Sequence, residues 1–355
     1  MKILLVGGTF DLNGGKNSSI ISKIDFELNK YNNEVSTFNG GYYEKLKEII
    51  DTAKEYQVIF WMANVPNELE KVRNIKDVNP YAIVIGSKRN DNKYKFVEVL
   101  NRSLEQRHNL TIQFSKIEDK LFNMLLFDPL GTSFYDGTSI EKLIEVLNDR
   151  LLFLLTTTRK NTYKSDKYIE VEDNEAFFGY TRKTAEIFHK TIEHDKGVTR
   201  FLGNSSFISN DRKTVYVTRR DVDKEFIDKD HFVATYIEDD KVFYSKNNDG
   251  NFYKPSKDSI VQNKLYKLLP NINYIVHSHC YVENAPFTKT PVPCGALDEI
   301  DEVLEVINKY YDNDLTKDYY AINLNGHGCL IFGNNIELLE QTKFITRHLP
   351  EKLIK

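Results

Sequence analysis

Short, continuous apolar runs recur along the first 155 residues: KILLVGG (2–8), QVIFWMANV (57–65), YAIVIGS (81–87) and LTIQFS (110–115). Stretches of helical periodicity separate them. A strand that is apolar on both sides must be covered on both sides, and strands joined through helices pair in parallel. With EVSTFNGG (34–41) and FNMLLFD (122–128) as further strands, the pattern predicts a doubly wound α/β domain of Rossmann or flavodoxin type over residues 1–158. Helices are expected near 18–30, 43–55, 94–107 and 138–152, with another between the runs at 57–65 and 81–87.

From Thr156 to Asn174 the chain reads TTTRKNTYKSDKYIEVEDN, polar and without clean periodicity, which places a linker at 159–174. A helix is expected near 175–193, and beyond it the strands shorten and alternate, as in TVYVT (214–218) and KVFYS (241–245). A second domain over 175–355 follows, and 355 residues are enough for two cores. Hydrophobic residues at 41% and charged residues at 28% fit a folded chain rather than a disordered one.

A net charge of -4 provides no field to gather nucleic acid or an anionic membrane, so neither is an expected partner. No run of 18 apolar residues occurs, and the apolar N-terminal run is too short for a signal segment. The three cysteines, Cys280, Cys294 and Cys329, form no CxxC pair and are read as reduced thiols, which makes a cytoplasmic location the expectation.

The loop VGGTFDLNGGKNSS sets Gly7, Gly8, Gly14, Gly15 and Ser18 at a strand end and helix start, where backbone amides can cradle an anion or nucleotide. Its spacing is neither that of a phosphate-binding GxxxxGK[ST] loop nor GxGxxG. A tight turn that needs its glycines is the other reading. In DPLGTSFYDGTS (128–139), at another strand end, Asp128 and Asp136 are read first as turn residues, with ribose binding as the other reading.

In NYIVHSHC, His277 and His279 stand two apart in an apolar strand, so both imidazoles share one face. Burying two imidazoles side by side costs desolvation unless something holds them, and a metal does so. His327, flanked by glycines in LNGHGCLIFG, is the third candidate; three imidazoles leave a position open on a divalent ion, as catalytic sites do. His108, His189, His194, His231 and His348 stand among charged neighbours and are read as solvated.

The stretch from Phe201 to Gly333 resembles the class II aldolase/adducin family. The resemblance rests on GNSS (203–206), VTRRD (217–221) with DKDHF after it, KPSKD (254–258), VHSH (276–279) and NGHG (325–328), in the family's order and spacing. It implies a class II aldolase-like α/β/α fold, with zinc or another divalent metal on His277, His279 and His327. Asp258 takes the place of the family's acidic residue, as catalytic acid/base. Asn204 and Ser256 fall where the family binds substrate phosphate, with turn capping as their alternative role.

The chain departs from the family pattern at the phosphate turn, which is Thr218-Arg219-Arg220-Asp221, and at Lys257, where a second phosphate serine is expected. Arg219, Arg220 and Lys257 offer charge-assisted contacts to an anion instead. The His-Ala-Asp segment of the 4-epimerases is absent before VPC, which disfavours epimerisation. Adducins lack the metal histidines that this chain keeps.

The resulting expectation is a metal-dependent lyase performing aldol cleavage or dehydration through an enediolate on a small phosphorylated sugar. It is fused to a nucleotide- or phosphate-binding domain and assembles as a homo-oligomer, a tetramer. Two other readings stand beside it. One is a non-catalytic scaffold stabilised by its metal; the other is a nucleotide- or flavin-dependent N-terminal enzyme with an accessory aldolase-like half.

Overall fold

A computed structural model of the chain describes residues 1–66, 75–90, 93–118, 121–157, 162–190 and 202–352. It divides into two compact units, Met1–Arg159 with Pro350–Lys352, and Lys160–Leu349. The expected helix tail at 191–193, Phe201 and His194 lie outside the described residues, as do most of the residues between 57–65 and 81–87 where a helix is expected.

In the first unit the strands are β1 (Lys2–Asp11), β2 (Glu34–Tyr42), β3 (Val58–Trp61), β4 (Ile83–Arg89), β5 (Leu110–Glu118), β6 (Leu121–Phe127) and β7 (Thr132–Gly137). The helices are α1 (Ser19–Asn29), α2 (Tyr43–Thr52), α3 (Ile75–Val78), α4 (Phe96–Glu105) and α5 (Ile140–Thr157). The sheet runs β2-β1-β3-β4-β5-β6-β7, with the two-residue strand Glu351–Lys352 parallel to β7 at its edge.

Both faces of the sheet are covered, as its continuous apolar strands require. Ile3 and Leu5 of β1 pack with Ile21, Ile24 and Leu28 of α1 and with Leu143 and Leu147 of α5. Leu4 and Val6, pointing the other way, pack with Leu46, Ile49 and Ile50 of α2. The first five strands pair in parallel in the order 2-1-3-4-5, which reverses direction between β1 and β3, the place where open α/β sheets carry ligands. The sheet is not parallel throughout: β5, β6 and β7 form an antiparallel meander. Only two residues separate Glu118 from Leu121, far fewer than the dozen or so that a parallel crossover needs.

His108 corrects the expectation of a solvated side chain. It is buried, with Nδ1 3.3 Å from Thr111 Oγ1, which lies 2.6 Å from Ser103 Oγ. Burial first, and then the nearby Arg102 and Lys76, lowers its pKa to about 4. An unfolded histidine titrates near 6.5, so between about pH 6.5 and 4 the unfolded chain binds the additional proton. Stability therefore falls as the pH is lowered through that window, by an upper bound on the order of 3 kcal/mol. His108→Gln is expected to flatten this acid dependence in thermal unfolding followed against pH; identical pH profiles for the two proteins would refute the assignment.

The second unit contains β8 (Thr162–Tyr168), β9 (Asn204–Ile208), β10 (Val215–Thr218), β11 (Phe232–Glu238), β12 (Lys241–Lys246), β13 (Tyr274–Ser278), β14 (Tyr281–Val282), β15 (Tyr319–Leu324), β16 (Gly328–Gly333) and β17 (Phe344–Ile345). Its helices are α6 (Glu175–Lys190), α7 (Ser259–Leu268), α8 (Asp298–Tyr310) and α9 (Ile336–Glu340). The main sheet runs β15-β16-β13-β9-β10-β11-β12-β8, antiparallel except where β8 joins β12. β8 lies inside the segment expected to be a linker. Of its residues only Ser165 is buried, which is why it shows no apolar alternation.

Two apolar layers sandwich this sheet into an α/β/α arrangement. Ile275, Ile322, Leu330 and Phe332 pack against Val261 and Leu265 of α7 and Val303 and Ile307 of α8. On the opposite face, Phe207, Phe232, Val276 and Ile331 meet Phe177 and Phe178 of α6 and Leu339 of α9.

Candidate metal centre

The alternation along β13 positions the site. Ile275 faces α7 and α8, so His277, two residues on, projects from the same face, with β9 and β16 on either side. His327 arrives from the turn between β15 and β16. That turn is possible because Gly328, at φ +135, has no side chain: a Cβ there would stand 2.0 Å from the Ser278 carbonyl oxygen. The sequence NGHG thus lets one strand end press against the other. His277, His279 and His327 are all buried, and their ligand atoms lie within 4.8 Å of one another.

The imidazoles of His277, in β13, and His279, just past its end, are held neutral. Burial is the first cause lowering the His277 pKa and His327 the second; His279 is held well below its ordinary value by burial, then by His277 and His327. Neutral imidazole is the form that binds a metal. The His277 Nδ1–H donates to the Cys329 carbonyl at 3.0 Å, which turns its bare Nε2 inward, 3.1 Å from His279 Nε2. His279 Nδ1 has no hydrogen-bond partner among the described residues. The converging nitrogens of three buried imidazoles are a donor set that a divalent cation fits.

Asp258 is the N-cap residue of α7, yet its side chain makes no capping bond. Instead Oδ2 accepts from Asn204 Nδ2 at 2.7 Å and from Ser256 Oγ at 3.4 Å, while the buried Oδ1 has no partner among the described residues. Asn204 is itself held by Gln262, whose Nε2 donates to its Oδ1. Asn204 and Ser256, expected to meet an anion, therefore both grip Asp258.

The cations are arranged unequally. The Arg219 guanidinium stacks 3.5 Å from the centroid of the Tyr253 ring, Arg219 and Arg220 are half-buried, and Lys257 is exposed in the turn before α7. Among the other histidines, His231 pairs with Asp228 and His348 is exposed.

Sequence reasoning missed Glu299. Glu299, in the first turn of α8, is buried with Oε2 3.5 Å from His327 Nδ1, and burial, followed by Asp258, raises its pKa to about 8. It was hidden in the acidic run DEIDE, which in sequence reads as a solvated helix start. Buried Arg347 and Lys224 also depress His279, and no motif marked either.

The glycine-rich loop of the first unit lies at the C-terminal end of β1, where the strand order reverses. Its register with β2 shifts between Gly7 and Phe10, and Gly8 and Gly14 take positive φ of 77° and 89°. The amides of Thr9, Phe10, Gly15 and Ser18 donate to Lys16 O, Asn64 O, Gly41 O and Asn39 Oδ1 at 2.7–2.9 Å. The first of these bonds closes the loop on itself, and the other three tie it to the end of β2 and to the segment after β3. Asp128 Oδ1 accepts from the amides of Leu130 and Thr132, a turn contact.

Residues 182–340 match the family model for the class II aldolase and adducin N-terminal domain. No curated protein matches the chain. Among solved structures it is similar to the DNA/pantothenate metabolism flavoprotein from Streptococcus pneumoniae, at 14% identity over 43% of this chain and 98% of that one, with a TM-score of 0.35. It is also similar to an L-fuculose 1-phosphate aldolase, at 14% identity over 47% of this chain and 79% of that one, with a TM-score of 0.31. For the L-fuculose-1-phosphate aldolase from Thermus thermophilus the values are 16%, 47%, 87% and 0.30. Likenesses at these TM-scores carry no functional reading. No helix among the described residues is long and apolar enough to cross a membrane.

Proposed function

Starting from a C-terminal region of the class II aldolase and adducin family, residues 182–340, we propose that this half of the chain is a metal-dependent lyase for a small phosphorylated sugar. The reaction is aldol cleavage or dehydration. The observation that carries this reading is the convergence of three buried imidazoles, two of them held neutral, with the carboxylate of Asp258 gripped nearby by two side chains.

His277, His279 and His327 would hold the ion, and zinc suits three imidazoles with a position left open. Bound there, the ion would supply Lewis-acid polarisation to adjacent carbonyl and hydroxyl oxygens of the substrate. Asp258 accepts or returns the proton at the reacting carbon through Oδ1, while Asn204 and Ser256 fix Oδ2 so that the carboxylate cannot swing away. Glu299 supports the His327 ring from the far side.

Lys257 and Arg220 bind the substrate's phosphate. Lys257→Ala or Arg220→Ala is expected to raise KM about tenfold with kcat little changed, the loss of one charge-assisted contact made equally in ground and transition states. Unchanged KM in both variants would leave these cations on the solvated surface.

The reading is tested by turnover of triose and pentose phosphates before and after metal removal. Loss on chelation and recovery with zinc support it; full turnover by metal-stripped protein, or none on any substrate of these classes, refutes it. We further propose a closed homo-oligomer, a tetramer, as the usual symmetric outcome. Sedimentation showing an active strict monomer would contradict that. For the first unit, the 2-1-3-4-5 strand order with a glycine-rich loop at its reversal favours a nucleotide or phosphate ligand there. A yellow colour or a copurified nucleotide would support this assignment.

A further inference from the structure

We propose that Gln262 is a positioning residue for Asp258: acting through Asn204, it dictates which oxygen of the carboxylate is left to exchange a proton. This rests on the proton-transfer role given to Asp258 above. The polarity of the chain of bonds follows from the carboxylate outward. An ionised carboxylate only accepts, so the end of the Asn204 amide that meets Asp258 Oδ2 at 2.7 Å must be its Nδ2–H. The other end, Oδ1, then faces Gln262 and only accepts, so Gln262 must present its Nε2–H.

Each member of the chain is held. Asn204 is buried, and Gln262 has no exposed surface at all. Gln262 stands one helical turn beyond Asp258 on α7, and its backbone amide donates to the Asp258 carbonyl oxygen at 2.9 Å. Ile260, Val261 and Leu265 anchor the same stretch of helix in the core. Two side-chain bonds and one turn of helix thus close a ring. Ser256, the other group on Oδ2, carries a hydroxyl that rotates between donating and accepting, and its contact is long at 3.4 Å. Asn204, locked by Gln262, is the donor that cannot turn over. Oδ2 is therefore kept as an acceptor, and the proton moves to and from Oδ1, which has no partner among the described residues.

Packing alone does not explain Gln262. A fully buried glutamine gives up its hydration, and here Oε1 finds no partner among the described residues. An apolar side chain of similar volume would fill the position without that loss. The bond that offsets it is the one to Asn204.

Gln262→Met keeps the volume and removes the donor. In the full-length chain Tm is expected to stay the same or rise, while kcat falls about tenfold and KM holds. In an Asn204→Ala background the same substitution should lower kcat no further, because the group through which Gln262 acts is gone. A residue serving the fold alone would lower Tm, and its effect would add to that of Asn204→Ala. Unchanged kcat, or an additive loss, would overturn the proposal. Neutron diffraction from the deuterated, unsubstituted chain tests it without substrate, and so decides even where the variant does not fold. Deuterons on Gln262 Nε2 directed at Asn204 Oδ1, and on Asn204 Nδ2 directed at Asp258, support the inference; the reverse polarity at either amide contradicts it. Deuterons in the expected places, with no turnover of any triose or pentose phosphate, would support the hold on Asp258 and refute the lyase reading.

Discussion

Asp258→Asn is expected to lower kcat by about 10²- to 10⁴-fold, the range contributed by a positioned general acid/base, while the metal stays bound. The metal is retained because the three imidazoles come from β13, its continuation and the β15–β16 turn, none of which depends on α7 for its backbone. The local fold should also survive, since Asp258 makes no capping bond to α7 and an amide oxygen can still accept from Asn204 and Ser256. Only the ability to take up and return a proton is removed. Asn204→Ala provides the complementary test: it loosens the carboxylate without removing it, and should reduce kcat less than Asp258→Asn does. Steady-state kinetics with metal analysis on the same preparations measures both. Unchanged turnover in Asp258→Asn would assign proton transfer to another group, and the buried Glu299 would be the next to substitute.

The second large effect is expected at the histidines. His277→Ala removes a ligand whose orientation is fixed by its bond to the Cys329 carbonyl, so metal content should drop from about one ion per chain to near none. A ligand present at a hundred to a thousand times its dissociation constant stabilises a fold by about 3 to 4 kcal/mol. For a domain of this size that corresponds to a fall in Tm on the order of 10 °C. Chelation should bring the unsubstituted protein down by a similar amount and leave the variant nearly unaffected. A His277→Ala protein that keeps its metal and still responds to chelator would place the ion elsewhere.

Much of this arrangement was legible in the sequence because it depends on short-range periodicity. The continuous apolar runs specify strands buried on both faces, and the two clusters on either side of β1 show that requirement met. The two-residue separation of His277 and His279 predicts a shared strand face; the two rings do meet, but β13 ends at Ser278 and His279 lies just past it. What was not legible depends on contacts distant in sequence or on edges that carry little burial. β8 is an exposed edge strand with almost no apolar signal, and the antiparallel pairing of β5 with β6 is told from a parallel crossover only by the shortness of the sequence between them.

The neighbours of His108 in sequence are charged, but its ring turns into a pocket shared with Ser103 and Thr111. Glu299 comes to His327 from a helix start about thirty residues away, through packing that no local pattern encodes. Asn204 illustrates the converse. A motif identified the residue, and the fold then engaged both ends of its amide with Asp258 and Gln262.

The most direct measurement is elemental analysis of protein purified without a metal-affinity tag, combined with turnover on the same sample. The expected result is about one divalent ion per chain, zinc in the main, with activity that rises and falls with occupancy. A preparation free of metal that retains full turnover would contradict it.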